Sequence, residues 1–370
     1  MEQKNIHDDL IELSITGLMS CLTESNIKDQ FVKELSSPNY EKIVRYMRDE
    51  STVIQMRDFH NWIKLVLITN VTDYYYSQVR NEKVSLLDIA VGRGGDLSKW
   101  KKAQITHVFG FDPSDKSINS TDKEDPGAKE RLKTLKSKGA YFVDVEFDTC
   151  DATVPLEVKS KIDSFITRKK LNKYTNKKNY PGFDLCSCQF ALHYFFSSED
   201  ALRNVLSLVS HYLVPGGFFF GTTVDGAKIR EYLGDDKTFD RKLYQVQSFF
   251  PKKLKSPFGN KYTFKIYDTF DQTNYFNTMG TSTEYLVDFN ILNKIAAEYS
   301  LEPVAINFFE KYSPTGNKKD QTYTPRLNNI IPFEEIYRLN KWKPYDTGKN
   351  ITSEELELSF LNSVFLFRKR

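Results

Sequence analysis

The stretch from Leu86 to Asp112, LLDIAVGRGGDLSKWKKAQITHVFGFD, constrains the fold more than any other part of the chain. It begins with an apolar run typical of a buried strand and continues into a turn that contains Gly92, Gly94 and Gly95. A helical segment and a second apolar run follow, and that run ends at Asp112. This order of strand, glycine turn, helix and strand predicts the first unit of an α/β domain whose turn approaches a ligand closely.

The residues around this turn discriminate between nucleoside ligands. Asp112 lies about twenty residues past the first glycine, where a carboxylate can bind both hydroxyls of a ribose. A dinucleotide fingerprint requires a third glycine, but Leu97 occupies that position, which disfavours NAD. Asp88 would repel a pyrophosphate and attract the cationic methionine end of S-adenosylmethionine. The turn therefore predicts S-adenosylmethionine and methyl transfer, and the alternative is a βα turn that binds nothing.

Charge and cysteine content exclude some classes of protein. The chain has 52 Lys and Arg against 49 Asp and Glu, so nucleic-acid binding would need a local basic cluster. Eight Lys or Arg lie in residues 159–178, among them Lys169, Lys170 and Lys173, although a solvated surface is the alternative interpretation. The spacing of the four cysteines does not suggest a disulfide framework, and no leader or bilayer-length apolar run is present. We expect a soluble, reduced, intracellular protein without membrane contact.

The rest of the chain predicts one main domain with additions. Residues 1–50 have helical spacing and predict a small helical extension to a domain that covers residues 51–370. From Val84 onward strands and helices alternate, as in a doubly wound α/β sheet with helices on both faces. Within this domain, residues 235–280 predict an inserted β-rich lobe. Further expected elements are a helix within 116–138, a strand over 140–145, a helix starting at Ser198, and an antiparallel edge pair of 304–309 with 363–367.

Polar side chains at the ends of predicted strands are the candidate site residues. Gln189, His193 and Tyr194 end the strand FDLCSCQFALHYFF, and ligands of open α/β sheets bind at the carboxyl ends of strands. Two carboxylates compete for a further ligand position, and the sequence leaves both open. Asp144 lies within the predicted strand 140–145, and Asp151 lies in the CDAT turn that follows it. Lys64 lies off the apolar stripe of the helix RDFHNWIKLVLIT, where it could reach a neighbouring site or face solvent.

Five motifs in order carry a resemblance to a known family: FHNWIK, LLDIAVGRGGDLSKW, FDLCSCQFALHYFF, PGGFFFGTTVDG and EYLV. Over residues 55–370 the chain resembles the mRNA cap guanine-N7 methyltransferases, especially the branch found in large DNA viruses. The resemblance implies a Rossmann-like class I methyltransferase fold, with a seven-stranded, mostly parallel sheet and an antiparallel edge strand. It also implies S-adenosylmethionine as cosubstrate, S-adenosylhomocysteine as product, and 5′-capped RNA as substrate.

The same resemblance implies roles for individual residues. Around S-adenosylmethionine it places Lys64 and Asp88 at the methionine portion, Asp112 at the ribose and Asp151 at the adenine. Gly92 and Gln189 complete that set.

For the cap, the resemblance places His193, Tyr194 and Glu284 at the guanine and Arg93 near the phosphates. Two positions depart from the family pattern. Ala90 replaces its first glycine, and Asn362, with Phe360 nearby, stands where relatives have a tyrosine beside the guanine.

The implied reaction needs no acid or base from the protein. Guanine N7 carries a free lone pair, so the site has to position the reactants, which can lower a barrier by about 7–11 kcal/mol. No metal site is predicted. The alternatives are 2′-O methylation or methylation elsewhere on RNA, the former requiring a base, and an inactive cosubstrate-binding subunit, suggested by the missing first glycine. Other capping-enzyme domains or a stimulatory subunit are open partners, in the host cytoplasm if the protein is viral or the nucleus if it is cellular.

Overall fold

A computed structural model describes residues 51–79, 83–123, 125–139, 141–175, 178–267, 281–309, 324–344 and 350–370. The predicted helical extension of residues 1–50 lies outside the described residues. In the described part, ten α-helices and one 3₁₀ helix occur, with bounds as follows. They are α1 (Ile54–Val79), α2 (Leu97–Lys102), α3 (Asp115–Asn119), α4 (Ala128–Ser137), α5 (Pro155–Lys169), the 3₁₀ helix (Leu192–Ser197), α6 (Glu199–Tyr212), α7 (Gly226–Leu233), α8 (Phe289–Glu298), α9 (Phe333–Asn340) and α10 (Ser353–Phe360).

The described residues also form sixteen strands, half of them in one sheet. In chain order they are β1 (Ser85–Ile89), β2 (His107–Asp112), β3 (Asp144–Thr149), β4 (Asn172–Thr175), β5 (Lys178–Pro181), β6 (Phe183–Gln189), β7 (Leu213–Val224), β8 (Thr238–Asp240), β9 (Tyr244–Ser248), β10 (Lys261–Ile266), β11 (Thr281–Tyr285), β12 (Leu301–Pro303), β13 (Ile306–Asn307), β14 (Thr324–Pro325), β15 (Ile330–Pro332) and β16 (Asn362–Lys369).

The main sheet has the order β12-β16-β7-β6-β1-β2-β3, and β15 pairs with β16 beside this path. Strands β3, β2, β1, β6 and β7 run parallel, whereas β16 is antiparallel to β7 and β12 is antiparallel to β16. The predicted fold, a mostly parallel sheet with an antiparallel edge, is therefore confirmed. Because the five parallel strands share a direction, their carboxyl ends meet at one edge, which we call the carboxyl edge.

Burial on both faces explains the high apolar content of the central strand β1. All five residues of β1 are buried, and its side chains alternate between two cores. Leu86 belongs to the cluster that includes Phe59 and Trp100, and Leu87 belongs to the cluster that includes Phe165 and Phe219. A parallel strand covered on both sides is mostly apolar, since neither face contacts water, and Ser85 and Asp88 are the polar exceptions in β1.

Several predicted boundaries differ from the structure. The expected strand 140–145 is β3, which starts at Asp144 because its register with β2 begins there. The expected helix within 116–138 is divided into α3 and α4 by a loop that contains Pro126 and Gly127. The edge partners of β16 are β12 and β15, so the predicted pairing of 304–309 with 363–367 was wrong. A short strand within that range, β13, pairs with β14 instead. The start of α6 was correct, and Ser198 caps it by accepting from the Ala201 N–H.

Between β7 and α8 the chain forms a second, four-stranded antiparallel sheet with the order β11-β10-β9-β8. Buried Tyr244 and Tyr262 of this sheet pack with Ile229 of α7 and Leu358 of α10 in a third apolar cluster. The last strand, β11, carries Glu284 in register with Tyr262. This lobe thereby brings a carboxylate next to the main sheet.

Cys150, Cys186 and Cys188 are buried free thiols. In the described part of the chain, no helix is long and apolar enough to cross a bilayer. The same part contains no group of three or more His, Cys, Asp or Glu side chains arranged to hold a metal ion.

Candidate active site

The glycine turn lies at the carboxyl edge and is fixed by the next strand. Gly92 has φ 55° and Gly94 has φ 69°, both in the left-handed region that glycine adopts freely. The Gly92 N–H donates to Asp112 Oδ2 at 3.0 Å, and the Ser114 N–H donates to Oδ1 at 2.9 Å. Burial raises the pKa of Asp112, whereas these two N–H donors lower it. The carboxylate is therefore held at the turn, as the sequence predicted, with acceptor capacity left on both oxygens.

Ala90 also adopts the left-handed conformation, with φ 57°. An L-residue in this conformation costs about 1–2 kcal/mol. At the position where the family pattern has a glycine, Ala90 therefore adopts a backbone conformation that glycine would adopt freely.

We expect Gly94→Ala to destabilise the fold by about 2–3 kcal/mol, from left-handed strain and crowding together. An added Cβ would lie 3.2 Å from Leu97 and 3.4 Å from both Ala128 and Phe147. Gly139 is a matched control, because it has φ 80° and nothing within 4 Å of its Cβ position. Gly139→Ala should cost only the backbone strain, about 1 kcal/mol. Urea unfolding of both variants measures the difference, and equal losses would contradict the crowding argument.

An ion cluster connects the turn to α1. Lys64 Nζ and Lys99 Nζ each lie 2.8 Å from Asp96 Oδ1, and Lys99 also donates to Asn61 Oδ1 at 3.1 Å. Burial alone would raise the pKa of Asp96, but the two ammonium groups lower it to about 2. Lys64 therefore reaches the turn, one of the two placements that the sequence left open, and its side chain is only 14% exposed. Sequence reasoning missed Asp96 and Lys99, although an acidic residue before α2 with a lysine three positions later was a usable signal.

Asp88 lies deep beside this cluster, with 3% of its surface exposed. Burial and then the neighbouring Asp96 charge raise its pKa well above the ordinary value, while the Ser187 hydroxyl and Lys64 oppose the shift. Two carboxylates and two lysines thus share a small, water-poor space at the turn. Such a mixture of charges suits a ligand that carries both an ammonium and a carboxylate group.

At the end of β6, Gln189 is hydrogen bonded within its own strand and to the adjacent strand β7. Its Nε2 donates to Ser187 Oγ at 3.0 Å, and its Oε1 accepts from Thr222 Oγ1 at 3.1 Å. The chain then turns through Phe190, which has φ 54°, into the 3₁₀ helix that carries His193 and Tyr194. The structure thus brings these three predicted residues to the carboxyl edge, although the observed strand ends at Gln189 and the predicted strand continued through residues 190–196.

The structure distinguishes Asp151 from Asp144 by position. Asp144 starts β3 in register with His107, the first residue of β2, and it pairs with Lys169 at 2.8 Å. It therefore lies at the amino end of the strand, opposite the turn. Asp151 follows the carboxyl end of β3, where Oδ1 accepts from the N–H and the hydroxyl of Thr153.

Glu284 is held by two hydroxyl groups of the lobe. Tyr262 donates to Oε2 at 2.7 Å, and Ser282 donates to Oε1 at 2.6 Å. The residue is 6% exposed, so its carboxylate is largely desolvated. Burial and the Glu284 charge raise the pKa of Tyr262 well above its usual range, which keeps this donor protonated. Sequence reasoning missed Tyr262, since only the pairing of β10 with β11 reveals it. It also missed Ser282, although this residue lies two positions before Glu284 on the same strand, a spacing that places both side chains on one face.

His193 faces Glu284 without a hydrogen bond. Its Nε2 lies 3.9 Å from Glu284 Oε1, and neither ring nitrogen has a partner among the described residues. The ring is 3% exposed, and burial lowers its pKa while Glu284 opposes this, so the imidazole is neutral near pH 7. Tyr194 lies beside it with ring centroids 4.2 Å apart and is 43% exposed. An unpaired buried imidazole next to a fixed carboxylate is the arrangement expected where a polar ligand binds.

A sequence model of the mRNA (guanine-N(7))-methyltransferase domain matches residues 23–370. The chain therefore belongs to the mRNA cap guanine-N7 methyltransferase family. It is 28% identical over 334 residues to mRNA cap guanine-N(7) methyltransferase 1 of Arabidopsis thaliana, covering 87% of this chain and 77% of that protein. It is 31% identical over 275 residues to the mRNA cap guanine-N(7) methyltransferase of Drosophila melanogaster, covering 72% of this chain and 57% of that protein. A solved plantazolicin methyltransferase, BpumL, aligns at 13% identity with TM-score 0.40, covering 92% of this chain and 95% of that one.

The family assignment makes this chain an S-adenosylmethionine-dependent enzyme that methylates the guanine cap of mRNA at N7. The residues present fit that cosubstrate, because the turn offers the Asp112 carboxylate together with the Lys64–Asp96 pair. The recognition from five sequence motifs is therefore confirmed at the level of the family.

In this cap methyltransferase, Arg93 is 6% exposed, and its guanidinium donates to Asp125 Oδ2 at 2.7 Å and to the carbonyls of Asp125 and Pro126. The role near the cap phosphates that the resemblance implies for Arg93 stays a prediction.

The basic segment of this cap methyltransferase lies away from the site. Helix α5 returns from the carboxyl edge to the amino end of β3, where Lys169 pairs with Asp144 and Glu146. Lys170 follows as the left-handed residue that ends the helix, and the side chain of Lys173 lies outside the described residues. Because Lys169 pairs with two carboxylates at the opposite edge, its placement favours the solvated-surface interpretation.

Asn362 begins β16 and is buried. Its Nδ2 donates to the carbonyls of Leu358 and Ser359 at the end of α10, so the side chain closes a helix terminus. Phe360 is partly buried and packs against Tyr337, with ring centroids 5.8 Å apart.

Proposed function

We propose that this chain methylates guanine N7 by positioning alone, with Glu284 and His193 holding the base. The observation that carries the proposal is the pair itself: a desolvated carboxylate fixed by two hydroxyls, 3.9 Å from a buried, unpartnered imidazole. Both groups are desolvated, and they have hydrogen-bonding capacity that the described protein does not use.

The edge of guanine matches this pair. Its N1–H and exocyclic amino group are donors, and the carboxylate of Glu284 accepts from both; a neutral His193 donates to the O6 acceptor. Adenine lacks this donor pair, so the same carboxylate would reject it. The negative charge also offsets the positive charge that develops on the ring as N7 is methylated. Tyr194, partly exposed beside His193, supplies a face for stacking and for attraction to the cationic product.

For the cosubstrate, we assign Asp112 to the ribose, Lys64 and Asp88 to the methionine portion, and Asp151 to the adenine. Gly92 and Gln189 shape the backbone at the turn and at the end of β6. When bound, S-adenosylmethionine supplies an electrophilic methyl group. The protein's own contribution is to orient the base and to exclude water from the buried charges around Asp96.

No described side chain is required to remove a proton. Lys64 and Lys99 are both ion-paired with Asp96, so neither is poised as a base for a ribose hydroxyl. This argues against 2′-O methylation by these residues.

The pH dependence of kcat follows from this arrangement. Because burial lowers the pKa of His193, the ring stays neutral, and we expect kcat to change by less than about twofold between about pH 6.5 and 8.5. Single-turnover methylation across this range is the measurement. A fall of about tenfold per pH unit on the acid side would indicate a general base and contradict the proposal.

Incubation with labelled S-adenosylmethionine and GpppA-capped RNA, followed by digestion to nucleotides, tests the product. We expect all label in m7GpppA. Label on a ribose or an internal base would refute N7 specificity, and cosubstrate binding without turnover would indicate an inactive subunit.

Three further assignments remain proposals. The branch found in large DNA viruses rests on the sequence motifs, since the relatives compared above are from a plant and an insect. We infer an intracellular site of action, host cytoplasm for a viral protein or nucleus for a cellular one, because capped transcripts are made there. Other capping domains or a stimulatory subunit would meet the chain on surfaces that this site does not use.

A further inference from the structure

A basic surface lies on the second sheet, next to the proposed guanine site. Residues 241–267 contain seven Lys or Arg and no Asp or Glu. Residues 249–261 connect β9 to the first residue of β10, and we call them the lysine loop. Four exposed lysines belong to this loop: Lys252, Lys253, Lys255 and Lys261. Concentrated positive charge of this kind attracts a polyanion.

Most of the charge on the lysine loop is not neutralised by the protein. Lys252 pairs with Asp235, but the two side chains are 76% and 81% exposed, so the pair is weak. In the part of the chain that the structure describes, the other three lysines of the loop have no carboxylate partner. The segment 159–178 differs, because Lys169 there contacts two carboxylates. The lysine loop therefore offers positive charge that a ligand can bind.

An exposed aromatic ring accompanies these charges. Phe249 begins the loop and is 54% exposed. Its N–H donates to the Lys261 carbonyl at 2.9 Å, and the Lys261 ammonium lies 4.9 Å from its ring centroid. Single-stranded nucleic acid is bound by this combination of cations for the backbone and an aromatic face for a base.

The backbone of the lysine loop is held in one conformation by its own hydrogen bonds. The Phe258 N–H donates to Ser256 Oγ at 3.0 Å, and Asn260 Nδ2 donates to the Ser256 carbonyl at 2.8 Å. Gly259 closes the loop with a left-handed φ of 73°. A preorganised loop loses little conformational entropy when it binds a ligand.

One end of the loop is joined to the 3₁₀ helix that carries Tyr194. The Gly259 N–H donates to the Phe196 carbonyl at 3.0 Å, and the Phe258 and Phe196 rings stack with centroids 5.7 Å apart. Two residues of a 3₁₀ helix rise only about 4 Å. The loop therefore lies beside the exposed ring of Tyr194.

The other end runs directly into the strand that holds the guanine carboxylate. Lys261 is followed by Tyr262, whose hydroxyl donates to Glu284 Oε2 at 2.7 Å. Both attachments of the lysine loop thus belong to elements of the proposed guanine site.

We propose that the lysine loop binds the RNA chain that follows the cap, with its lysines on the phosphates and Phe249 stacked on a base. The proposal rests on the assigned position of guanine at Glu284 and His193. The RNA leaves that position as a polyanion, and neutralisation of its phosphates releases counterions. Stacking and charge do not depend on base sequence, so one surface serves transcripts of any sequence.

The first test removes charge from the loop in the full chain. The triple variant Lys253→Gln, Lys255→Gln and Lys261→Gln should raise the Kd for capped RNA of about twenty nucleotides about tenfold. Because each phosphate contact on a single strand contributes ~0.7 to the slope of log Kd against log salt, that slope should fall by about 2. The KM and kcat for the GpppA dinucleotide should stay within about twofold, since it lacks the RNA chain. Fluorescence anisotropy between about 50 and 200 mM salt measures the Kd.

Phe249→Ala tests the stacking contact separately. It should raise the Kd for the same RNA about fivefold and leave the salt slope unchanged, because stacking releases no counterions. An unchanged Kd in both this variant and the lysine triple would overturn the proposal and leave the surface to an acidic protein partner.

The matched control removes the same charge from the opposite edge of the sheet. Lys133, Lys136 and Lys138 are exposed, and they lie where α4 leads into the amino end of β3. Changing all three to Gln should leave the Kd for capped RNA within about twofold. A loss equal to that of the lysine-loop triple would show that net charge alone accounts for RNA binding, which would overturn the proposal.

Glu284→Gln separates failure of the loop from failure of the guanine site. If this variant methylates the GpppA dinucleotide at the unmodified rate, the guanine site itself is wrong. If it loses that activity while the lysine-loop variants bind capped RNA normally, only the RNA contact is wrong.

Discussion

Glu284→Gln should lower kcat for cap methylation by about a hundredfold or more, while the Kd for S-adenosylmethionine stays within about twofold. The carboxylate is held by Tyr262 and Ser282, and the substitution keeps its shape but removes its charge. The amide would also present N–H donors to the donor edge of guanine. Single-turnover rates with GpppA-capped RNA and calorimetry with S-adenosylmethionine provide the two measurements.

Tyr262→Phe is the graded control for this prediction. It removes one donor to Glu284 and keeps the buried ring, so kcat should fall about tenfold, less than for Glu284→Gln. Equal loss of cosubstrate binding and of kcat in Glu284→Gln would contradict the assigned role. A lowered midpoint of thermal unfolding in both variants would indicate that the carboxylate serves the fold of the lobe.

Asp112→Ala should raise the Kd for S-adenosylmethionine about a hundredfold, the second large effect that we expect. The change removes the proposed ribose acceptor and also releases the Gly92 N–H at the turn. Asp112→Asn keeps one acceptor oxygen and should raise the Kd for S-adenosylmethionine only about tenfold. Isothermal calorimetry with S-adenosylmethionine and S-adenosylhomocysteine measures both.

Asp144→Ala is the matched control for Asp112→Ala, since it removes a carboxylate from the opposite end of the neighbouring strand. It should leave the Kd for S-adenosylmethionine unchanged, whereas Asp151→Ala should weaken binding. A higher Kd for Asp144→Ala together with an unchanged Kd for Asp151→Ala would contradict the placement of the adenine.

The turn and the parallel sheet could be predicted because their signals are local. Left-handed glycines, continuous apolar strands and the spacing from Gly92 to Asp112 depend on backbone conformation and burial, which neighbouring residues largely encode. Boundaries were less accurate where pairing decides them. The start of β3 at Asp144 depends on register with β2, and no local pattern of residues 140–149 specifies that register.

The assignment of charged residues depended most on the tertiary structure. Arg93 and Lys169 are both basic. The family resemblance placed Arg93 near the cap phosphates, and the sequence left Lys169 open between RNA binding and a solvated surface. The structure gives each a carboxylate partner, Asp125 for one and Asp144 for the other. The sequence does not reveal the partner of a charged side chain, because many ion pairs join residues far apart in the chain. That partner decides whether the charge is available to a ligand.

By itself, the sequence determined the fold class, the cosubstrate turn and the family, because each rests on short motifs with fixed spacing. Only the tertiary structure decided how Glu284 is held, that His193 is unpaired beside it, and which carboxylate Arg93 contacts. Tyr262 and Asp125 are defined as partners by strand pairing and loop packing. Hydrogen bonds of this kind require atoms within about 3 Å, and only the folded chain brings such distant residues that close.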